Sequence, residues 1–138
     1  MNEKRSLPVK ENLFEFGRDG TGDIKLLGSR CIACGEKHFP QKSICPNCSG
    51  RRLNKIYLSE SGAIVTYTVV RQASPLWRGR VPYVIAVVKL DDGTEISSHL
   101  VGCNPETIRI GARVRVVAGK LRENDDGDDI IAHMFEII

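Results

Sequence analysis

Alternating and β-branched apolar positions dominate the second half of the chain. Four runs carry this pattern, namely Ile64–Val70, Pro82–Leu90, Arg113–Val117 and Ile130–Ile137. β-branched residues favour extended backbone, and alternation of charged with apolar side chains is typical of a half-buried strand. A further strand is expected over Thr94–Val101, because Asp91-Asp92-Gly93 supplies the Asp-Gly dipeptide of a tight hairpin. The pattern therefore predicts five strands.

A short helix is predicted between the third and fourth of these strands. Asn104 is a typical N-cap residue, Pro105 occupies the first helical position, and Gly111 follows the segment. Three strands, a short helix and two more strands form the order of an OB fold, a five-stranded Greek-key barrel. We therefore predict a mainly β protein in which residues 58–138 form an OB-fold barrel with one short helix.

Two C-x-x-C pairs precede the predicted barrel. Cys31 and Cys34 form the first pair, and Cys45 and Cys48 follow after a ten-residue gap. Four thiolates satisfy a tetrahedral zinc ion, and each two-residue spacer lets one turn present two sulfurs to it. We predict an N-terminal rubredoxin-like zinc ribbon over residues 24–57, with these cysteines as ligands of a structural Zn²⁺. Iron in the same four-sulfur site is an alternative that the sequence leaves open.

Other roles of the cysteines and histidines are less consistent with the sequence. A redox dithiol would need a C-x-x-C beside a βαβ pattern, which is absent. His38 is interpreted as a polar residue on the ribbon hairpin, because four cysteines already complete the ligand set. Cys103 follows His99 by four residues, a spacing that does not oblige the two to meet on a strand. We interpret Cys103 as a buried packing residue.

Charge divides the chain into a basic front and a slightly acidic back. Residues 1–57 hold 11 Lys and Arg against 6 Asp and Glu, a net +5, and residues 58–138 hold 9 against 11, a net −2, which sum to +3. Phosphate neutralisation dominates nucleic-acid affinity, so the net negative charge of the barrel disfavours a nucleic-acid partner. Single-stranded nucleic-acid binding stays as an alternative function, because Tyr67, Trp77 and Tyr83 could stack bases.

Residues 1–23 are predicted to form an N-terminal arm. Leu13–Phe16 could dock on a partner, and the glycines of Gly17–Gly22 form a linker rather than a nucleotide loop, because no Gly-Lys-Ser/Thr follows. The longest apolar run, Val81–Val88, is far shorter than the roughly 20 residues of a membrane span. No apolar signal core follows Met1–Arg5, so we predict a cytoplasmic protein without membrane contact.

Short strings around these motifs resemble one family. They are Leu27-Gly28-Ser29-Arg30-Cys31 with Cys34-Gly35, Phe39-Pro40, Cys45-Pro46 with Cys48, Leu58-Ser59 with Gly62, Thr66–Val70, Pro82-Tyr83-Val84, Val101–Glu106 and Ile110-Gly111. Together they span roughly residues 26 to 118 and resemble the DUF35 OB-fold family, also called acyl-CoA-associated zinc-ribbon proteins. The combination is far more specific than either C-x-x-C pair.

The resemblance implies a non-catalytic accessory subunit of a thiolase-superfamily enzyme, in a hetero-oligomer with a thiolase-like catalytic subunit. The complex would cleave or condense a 3-oxoacyl-CoA. One member type is the small subunit of the thiolase that cleaves benzoylsuccinyl-CoA in anaerobic toluene breakdown. An accessory subunit of an acyl-CoA hydratase or aldolase is the alternative. The residues agree with a non-catalytic role, because a thiolase needs an activated cysteine and only Cys103 is left outside the metal site.

The loop between the first two barrel strands is the predicted ligand site. The resemblance implies that the barrel helps to bind coenzyme A, and OB folds commonly bind through this loop. Arginine forks suit the phosphates of coenzyme A, and an aromatic plane suits its adenine. The candidates are Arg71, Trp77, Arg78 and Arg80. A solvated loop and a protein interface anchored by Trp77 are the alternatives.

Overall fold

The computed structural model describes residues 6–10, 13–16, 24–77 and 80–138, and these are mostly strands. The strands are β1 (Ser6–Pro8), β2 (Phe14–Phe16), β3 (Ile24–Cys31), β4 (Lys37–His38), β5 (Leu53–Tyr57), β6 (Ser61–Val70), β7 (Tyr83–Leu90), β8 (Glu95–Val101), β9 (Arg113–Glu123) and β10 (Asp129–Ile137). A single 3₁₀ turn, Pro105–Thr107, lies between β8 and β9 in this part of the chain. No helix among the described residues has the length and apolar character needed to cross a bilayer.

Strands β6 to β10 close into a barrel. Their order is β10-β8-β7-β6-β9, and β9 pairs again with β10 to complete the ring. The β10–β8 pairing is parallel and short, joining Phe135 to Leu100, while the other pairings of the ring are antiparallel. Closure leaves the five strands with few unpaired edges. The predicted OB-fold barrel is confirmed.

Local signals in the sequence account for several element boundaries. Asn104 caps the 3₁₀ turn as predicted, because its Oδ1 accepts the backbone N–H of Glu106 at 3.0 Å. Strand β9 continues past the predicted end at Val117, because its second half pairs with β10 as far as Glu123 opposite Asp129. Long-range pairing therefore extends this strand beyond its apolar stretch.

One apolar core runs from the barrel into the ribbon. Phe135 of β10 is fully buried in this core. The core contains Phe14, Ile24, Leu26, Leu58, Ile64, Val84, Ala86, Val88, Leu90, Ile96, Leu100, Ile108, Val114, Val116, Ile131 and Phe135. Because Ile24 and Leu26 belong to β3 of the ribbon, the first half of that strand is anchored on the barrel.

The ribbon is built around β3. Strands β4 and β5 both pair antiparallel with β3 in the region that leads to Cys31, and β2 pairs with its first three residues. The short strand β1 instead pairs parallel with β10 of the barrel. The predicted mainly β chain with an N-terminal ribbon is therefore confirmed.

The expectation that Leu13–Phe16 docks on a partner is wrong for Phe14. This side chain is 6% exposed and packs in the protein's own core, because β2 extends the ribbon sheet beside β3. The glycine segment from Gly17 to Gly22 lies outside the described residues. The boundaries of the arm, ribbon and barrel at residues 23 and 57 stay predictions.

Candidate functional site

The four cysteines of the C-x-x-C pairs meet at one end of the ribbon. Their sulfur atoms all lie within 4.8 Å of one another. The sulfurs of Cys31 and Cys48 are 3.5 Å apart, and those of Cys34 and Cys45 are 3.6 Å apart. A disulfide needs about 2 Å, whereas four bonds of about 2.3 Å to a tetrahedral ion separate the sulfurs by roughly 3.8 Å. The cluster therefore fits one tetrahedral metal ion.

Each cysteine pair lies on a turn of the same construction. Gly35 follows Cys34 with φ at 79°, and Ser49 follows Cys48 with φ at 62°. In both turns the N–H of this residue donates 2.9 Å to the carbonyl oxygen of the pair's first cysteine. The left-handed residue turns the chain back, so that a two-residue spacer presents both sulfurs to the same point. The sequence signalled this conformation at Gly35 only, because serine rarely adopts it.

Backbone N–H groups and neighbouring sulfurs shift the thiol pKa values. The Glu36 N–H is the main cause that lowers the pKa of Cys34 to about 6. The Gly50 N–H lowers the pKa of Cys48, but the sulfurs of Cys31 and Cys34 outweigh it and raise that pKa to about 12. Close thiolates repel one another, and a cation among the sulfurs relieves that repulsion. The charge distribution therefore favours a bound metal ion.

The space around the cluster also favours an ion. A Cβ atom at Gly50 would lie 3.2 Å from the Cys48 sulfur and 3.3 Å from the Cys31 sulfur, so a side chain there would crowd the ligands. Four thiolates around a divalent ion leave an excess of negative charge. Residues 24–57 carry seven Lys and Arg against one acidic residue, which offsets that excess.

His38 lies beside the cluster. As expected it is on the ribbon hairpin, but its side chain is only 6% exposed. Its Nε2 atom is 3.5 Å from the Cys45 sulfur, and its Nδ1 atom is 3.1 Å from the Ser29 hydroxyl oxygen. Strand β4 pairs Ser29 with His38, and this pairing brings the ring to the cluster. Nothing in the C-x-x-C spacing indicated this contact.

A second candidate site is a cavity of about 630 Å³ on the barrel. Three rings form one side of it. The ring centroids of Trp77 and Tyr83 are 4.5 Å apart, and those of Tyr83 and His99 are 5.2 Å apart with the planes 9° from parallel. His99 lies opposite Ile85 in the β7–β8 pairing, so Tyr83, two residues earlier, shares its face. The stack offers an aromatic surface to a planar group.

Basic side chains border this cavity. Arg80 and Lys120 line it, and both also line an adjoining groove of about 740 Å³ together with Arg122. The Lys120 ammonium lies 2.9 Å from Glu123 Oε1 and 3.2 Å from Asp129 Oδ1. Its hydrogen bond to Glu123 is the main cause that raises the pKa of Lys120, which keeps it charged. An aromatic face beside fixed cations suits an anionic ligand with a planar group.

The four loop residues predicted to bind coenzyme A do not all meet in the structure. Trp77 and Arg80 line the cavity, and the indole Nε1–H donates 3.2 Å to the Arg80 carbonyl oxygen. Arg71 is exposed and pairs with Glu106, with 3.4 Å between Nη2 and Oε1. Arg78 lies outside the described residues. Trp77 and Arg80 are therefore the predicted residues that the cavity brings together.

Sequence reasoning missed His99 and Lys120 in the cavity wall, and it named Tyr83 only as a base-stacking residue of the nucleic-acid alternative. Tyr83 and His99 lie on correctly predicted strands, and the hairpin register that aligns them was the signal that could have joined them in one site. Lys120 lies beyond the predicted end of the fourth strand.

Cys103 also lines the cavity and is half-buried. Burial raises the pKa of the Cys103 thiol and lowers the pKa of His99. At neutral pH the thiol is therefore protonated and the imidazole is uncharged. Since a cysteine nucleophile reacts as the thiolate, the cavity is suited to binding rather than to covalent chemistry.

Comparisons with known proteins match both halves of the chain. The profile described as the ChsH2 rubredoxin-like zinc ribbon domain matches residues 18–54. The profile described as the ChsH2 C-terminal OB-fold domain matches residues 56–119. The ribbon and the barrel seen in the structure are thus both recognised in the sequence.

Relatives extend the match over most of the chain. A DUF35 domain-containing scaffold protein of Methanothermobacter thermautotrophicus is 36% identical over 112 residues, which cover 80% of this chain and 84% of the relative. The benzoylsuccinyl-CoA thiolase subunit BbsA of Thauera aromatica is 30% identical over 129 residues, which cover 92% of this chain and 85% of BbsA. The structure of an Ltp2-ChsH2(DUF35) aldolase is similar with a TM-score of 0.65 at 27% identity, covering 82% of this chain and 84% of that chain.

Proposed function

The chain belongs to the DUF35 family of zinc-ribbon and OB-fold proteins, and on that premise we propose that it is a non-catalytic accessory subunit of a thiolase-type acyl-CoA enzyme. Its relatives include a scaffold protein and a thiolase subunit, which supports an accessory role. The catalytic partner in the hetero-oligomer cleaves or condenses a 3-oxoacyl-CoA. The similarity to BbsA supports a substrate from aromatic degradation.

The observation that carries this proposal is the state of the five cysteines. Four of them form a sulfur cluster that could hold a metal ion, and burial keeps the fifth, Cys103, protonated. A thiolase needs an activated cysteine, a second group for proton transfer and an oxyanion hole. With a metal ion bound to the four clustered sulfurs, no thiolate among the described residues is free to attack a thioester, and the nucleophile would belong to the partner.

We assign a structural Zn²⁺ to Cys31, Cys34, Cys45 and Cys48. Four sulfur ligands leave no open coordination position for water or substrate, so the ion would supply folding energy and no catalysis. Iron fits the same four sulfurs as a redox-active ion. Metal analysis of the purified protein, together with its visible absorption, distinguishes the two.

The barrel cavity is proposed to hold the nucleotide end of coenzyme A. The adenine would stack on the rings of Trp77, Tyr83 and His99, and the phosphates would pair with Arg80 and Lys120. At about 630 Å³ the cavity has the size of a small-molecule site. The thioester end would then extend to the catalytic partner.

An aldolase is the second candidate partner. The similarity to the Ltp2-ChsH2(DUF35) aldolase favours it. Thiolases and aldolases both break or form carbon–carbon bonds, so this chain would support either partner in the same way, by assembly and ligand binding. Co-expression with a thiolase-like or an aldolase-like subunit, followed by size-exclusion chromatography, identifies which one forms a stable complex.

Coenzyme A is expected to quench the fluorescence of Trp77, the only tryptophan of the chain, when titrated into the purified protein. Arg80→Ala should raise the Kd roughly tenfold or more, because a lost charged hydrogen bond is worth about 1.5 to 3 kcal/mol. Arg71→Ala is the matched control and should leave the Kd within about twofold, since a solvated ion pair with Glu106 holds that side chain.

Equal losses for Arg71→Ala and Arg80→Ala would contradict binding in the cavity. Absence of quenching up to millimolar coenzyme A would contradict it as well. Titration of labelled single-stranded DNA into the same protein tests the nucleic-acid alternative. Submicromolar DNA binding that falls steeply with salt would favour that alternative over coenzyme A.

A further inference from the structure

We propose that His38 is a positioning residue of the metal site: it donates its Nε2–H to the Cys45 thiolate, and Ser29 holds the ring in that orientation. The inference rests on a metal ion bound by the four cysteines and applies to zinc and iron alike. It needs neither coenzyme A nor a catalytic partner, so it can fail while the accessory role stands.

The three side chains form a buried relay. His38 is 6% exposed, Ser29 is 2% exposed and Cys45 is 1% exposed. His38 Nε2 lies 3.5 Å from the Cys45 sulfur, which suits an N–H···S hydrogen bond because sulfur is larger than oxygen. His38 Nδ1 lies 3.1 Å from Ser29 Oγ. Burial removes water as a competing partner for each group, so these contacts decide the orientation of the ring.

Donor and acceptor rules then assign the proton. The Lys42 backbone N–H donates to Ser29 Oγ at 3.0 Å, and the hydroxyl keeps its own proton to donate onward. A thiolate can only accept a hydrogen bond, so the histidine nitrogen facing Cys45 must carry hydrogen. The other nitrogen, Nδ1, faces the Ser29 hydroxyl, and this contact fixes the orientation of the ring.

Two consecutive residues of β3, Gly28 and Ser29, bring the His38 ring to the cysteine cluster. A Cβ atom at Gly28 would lie 2.5 Å from the His38 carbonyl oxygen, so a larger residue would push β4 away from β3. Ser29, the next residue, pairs with His38 across the two strands. Gly28 therefore lets the strands close, and Ser29 orients the ring that the closure brings in.

The relay is expected to strengthen metal binding. An N–H donor draws negative charge from the Cys45 sulfur and fixes the direction of its side chain. Loss of such an outer partner typically costs ten- to a hundredfold in metal affinity. Because Cys45 is almost fully buried, water does not replace the missing donor.

Replacement of His38 tests the relay through the rate of metal release to a chromogenic chelator. His38→Phe keeps a ring but no N–H and should release the ion about ten- to a hundredfold faster. His38→Gln returns an N–H donor and should recover part of the loss. Ser29→Ala should speed release by less than His38→Phe, and Ser43→Ala, an exposed ribbon serine, should not change it.

Nuclear magnetic resonance of the ¹¹³Cd-loaded protein separates this role from simple packing. We expect a scalar coupling between ¹¹³Cd and the His38 Nε2 proton across the hydrogen bond, and an imidazole ¹⁵N spectrum in which Nε2 carries a proton. Either a His38→Phe protein that is folded and releases metal at the original rate, or a ring whose Nε2 carries no proton, would overturn the proposal. A chain that binds no Cd²⁺ would overturn its premise.

Discussion

Chelation of the ribbon's metal ion is expected to unfold the end that carries the cysteines and to leave the barrel folded. Over residues 31–52 the buried side chains are Cys31, His38 and Cys45, which are two metal ligands and their neighbour. This end thus has almost no apolar core of its own. In zinc-finger peptides metal binding supplies about 10–16 kcal/mol and is itself the folding energy. Ile24 and Leu26 pack into the barrel core, so the first half of β3 should stay folded.

Amide spectra before and after chelation measure this effect residue by residue. The amide signals of residues 31–52 should move to the narrow chemical-shift range of an unfolded chain, while the signals of the barrel should stay dispersed. Cys45→Ser should have the same effect without a chelator. Cys103→Ser is the matched control and should keep its metal, because this thiol lies in the barrel cavity. A metal-free protein with dispersed signals over residues 31–52 would show that the ion is not structural.

Acid is expected to destabilise the protein through His133. Its ring lies between the ribbon and the barrel, with centroids 6.1 Å from Phe14 and 5.1 Å from Phe39. The Nδ1 atom is buried with no hydrogen-bond partner in the part of the chain that the structure describes. Burial lowers the pKa of His133 from 6.5 to about 4, because the charged ring would lose its water.

The direction of the pH effect follows from this lowered pKa. Between pH 6.5 and about 4 the unfolded chain binds a proton at His133 that the folded chain does not. The stability is therefore fully present above pH 6.5 and falls as the pH drops towards 4, by about 3 kcal/mol over the whole window.

Urea unfolding at pH 7.5 and at pH 4.5 measures the contribution of His133. The original protein should lose about 2 to 3 kcal/mol more than His133→Phe between these two conditions. Acid release of the metal affects both proteins alike, so the difference between them isolates the histidine. Equal losses in both proteins would contradict the assignment.

Local sequence signals were sufficient for the barrel and for the cysteine cluster. The β-branched runs predicted the five strands, Asn104 predicted the cap of the 3₁₀ turn, and C-x-x-C spacing predicted that four sulfurs meet. Each of these features is encoded within a few residues. The strands β1 and β2 were not predicted, because three-residue strands form only when a distant partner strand pairs with them.

The turn between β7 and β8 decides whether Tyr83 and His99 lie on the same face of the sheet. An Asp92-Gly93 loop of two residues would place Tyr83 and His99 on opposite faces, because a shift of one residue reverses every side chain. The structure instead closes a three-residue loop, in which the Leu90 N–H donates to the Thr94 carbonyl at 2.8 Å. Gly93 takes a φ of 96° to complete it. The sequence signalled the hairpin but not this register.

The buried His38 and the partly buried His133 show a further limit of sequence reasoning. His38 and His133 both lie in regular strands and carry no local signal of burial. Their surroundings come from elements far along the chain, namely Ser29 and Cys45 for His38, and Phe14 and Phe39 for His133. Tertiary packing therefore determined both environments.

The claim that the partner carries the catalytic residues and this chain does not is tested most directly by an activity assay. The purified chain, the thiolase-like subunit and the co-expressed pair would each receive a 3-oxoacyl-CoA and free coenzyme A, and cleavage of the thioester substrate would be followed. We expect turnover from the pair and none from this chain alone. Turnover by this chain without any companion would contradict the account.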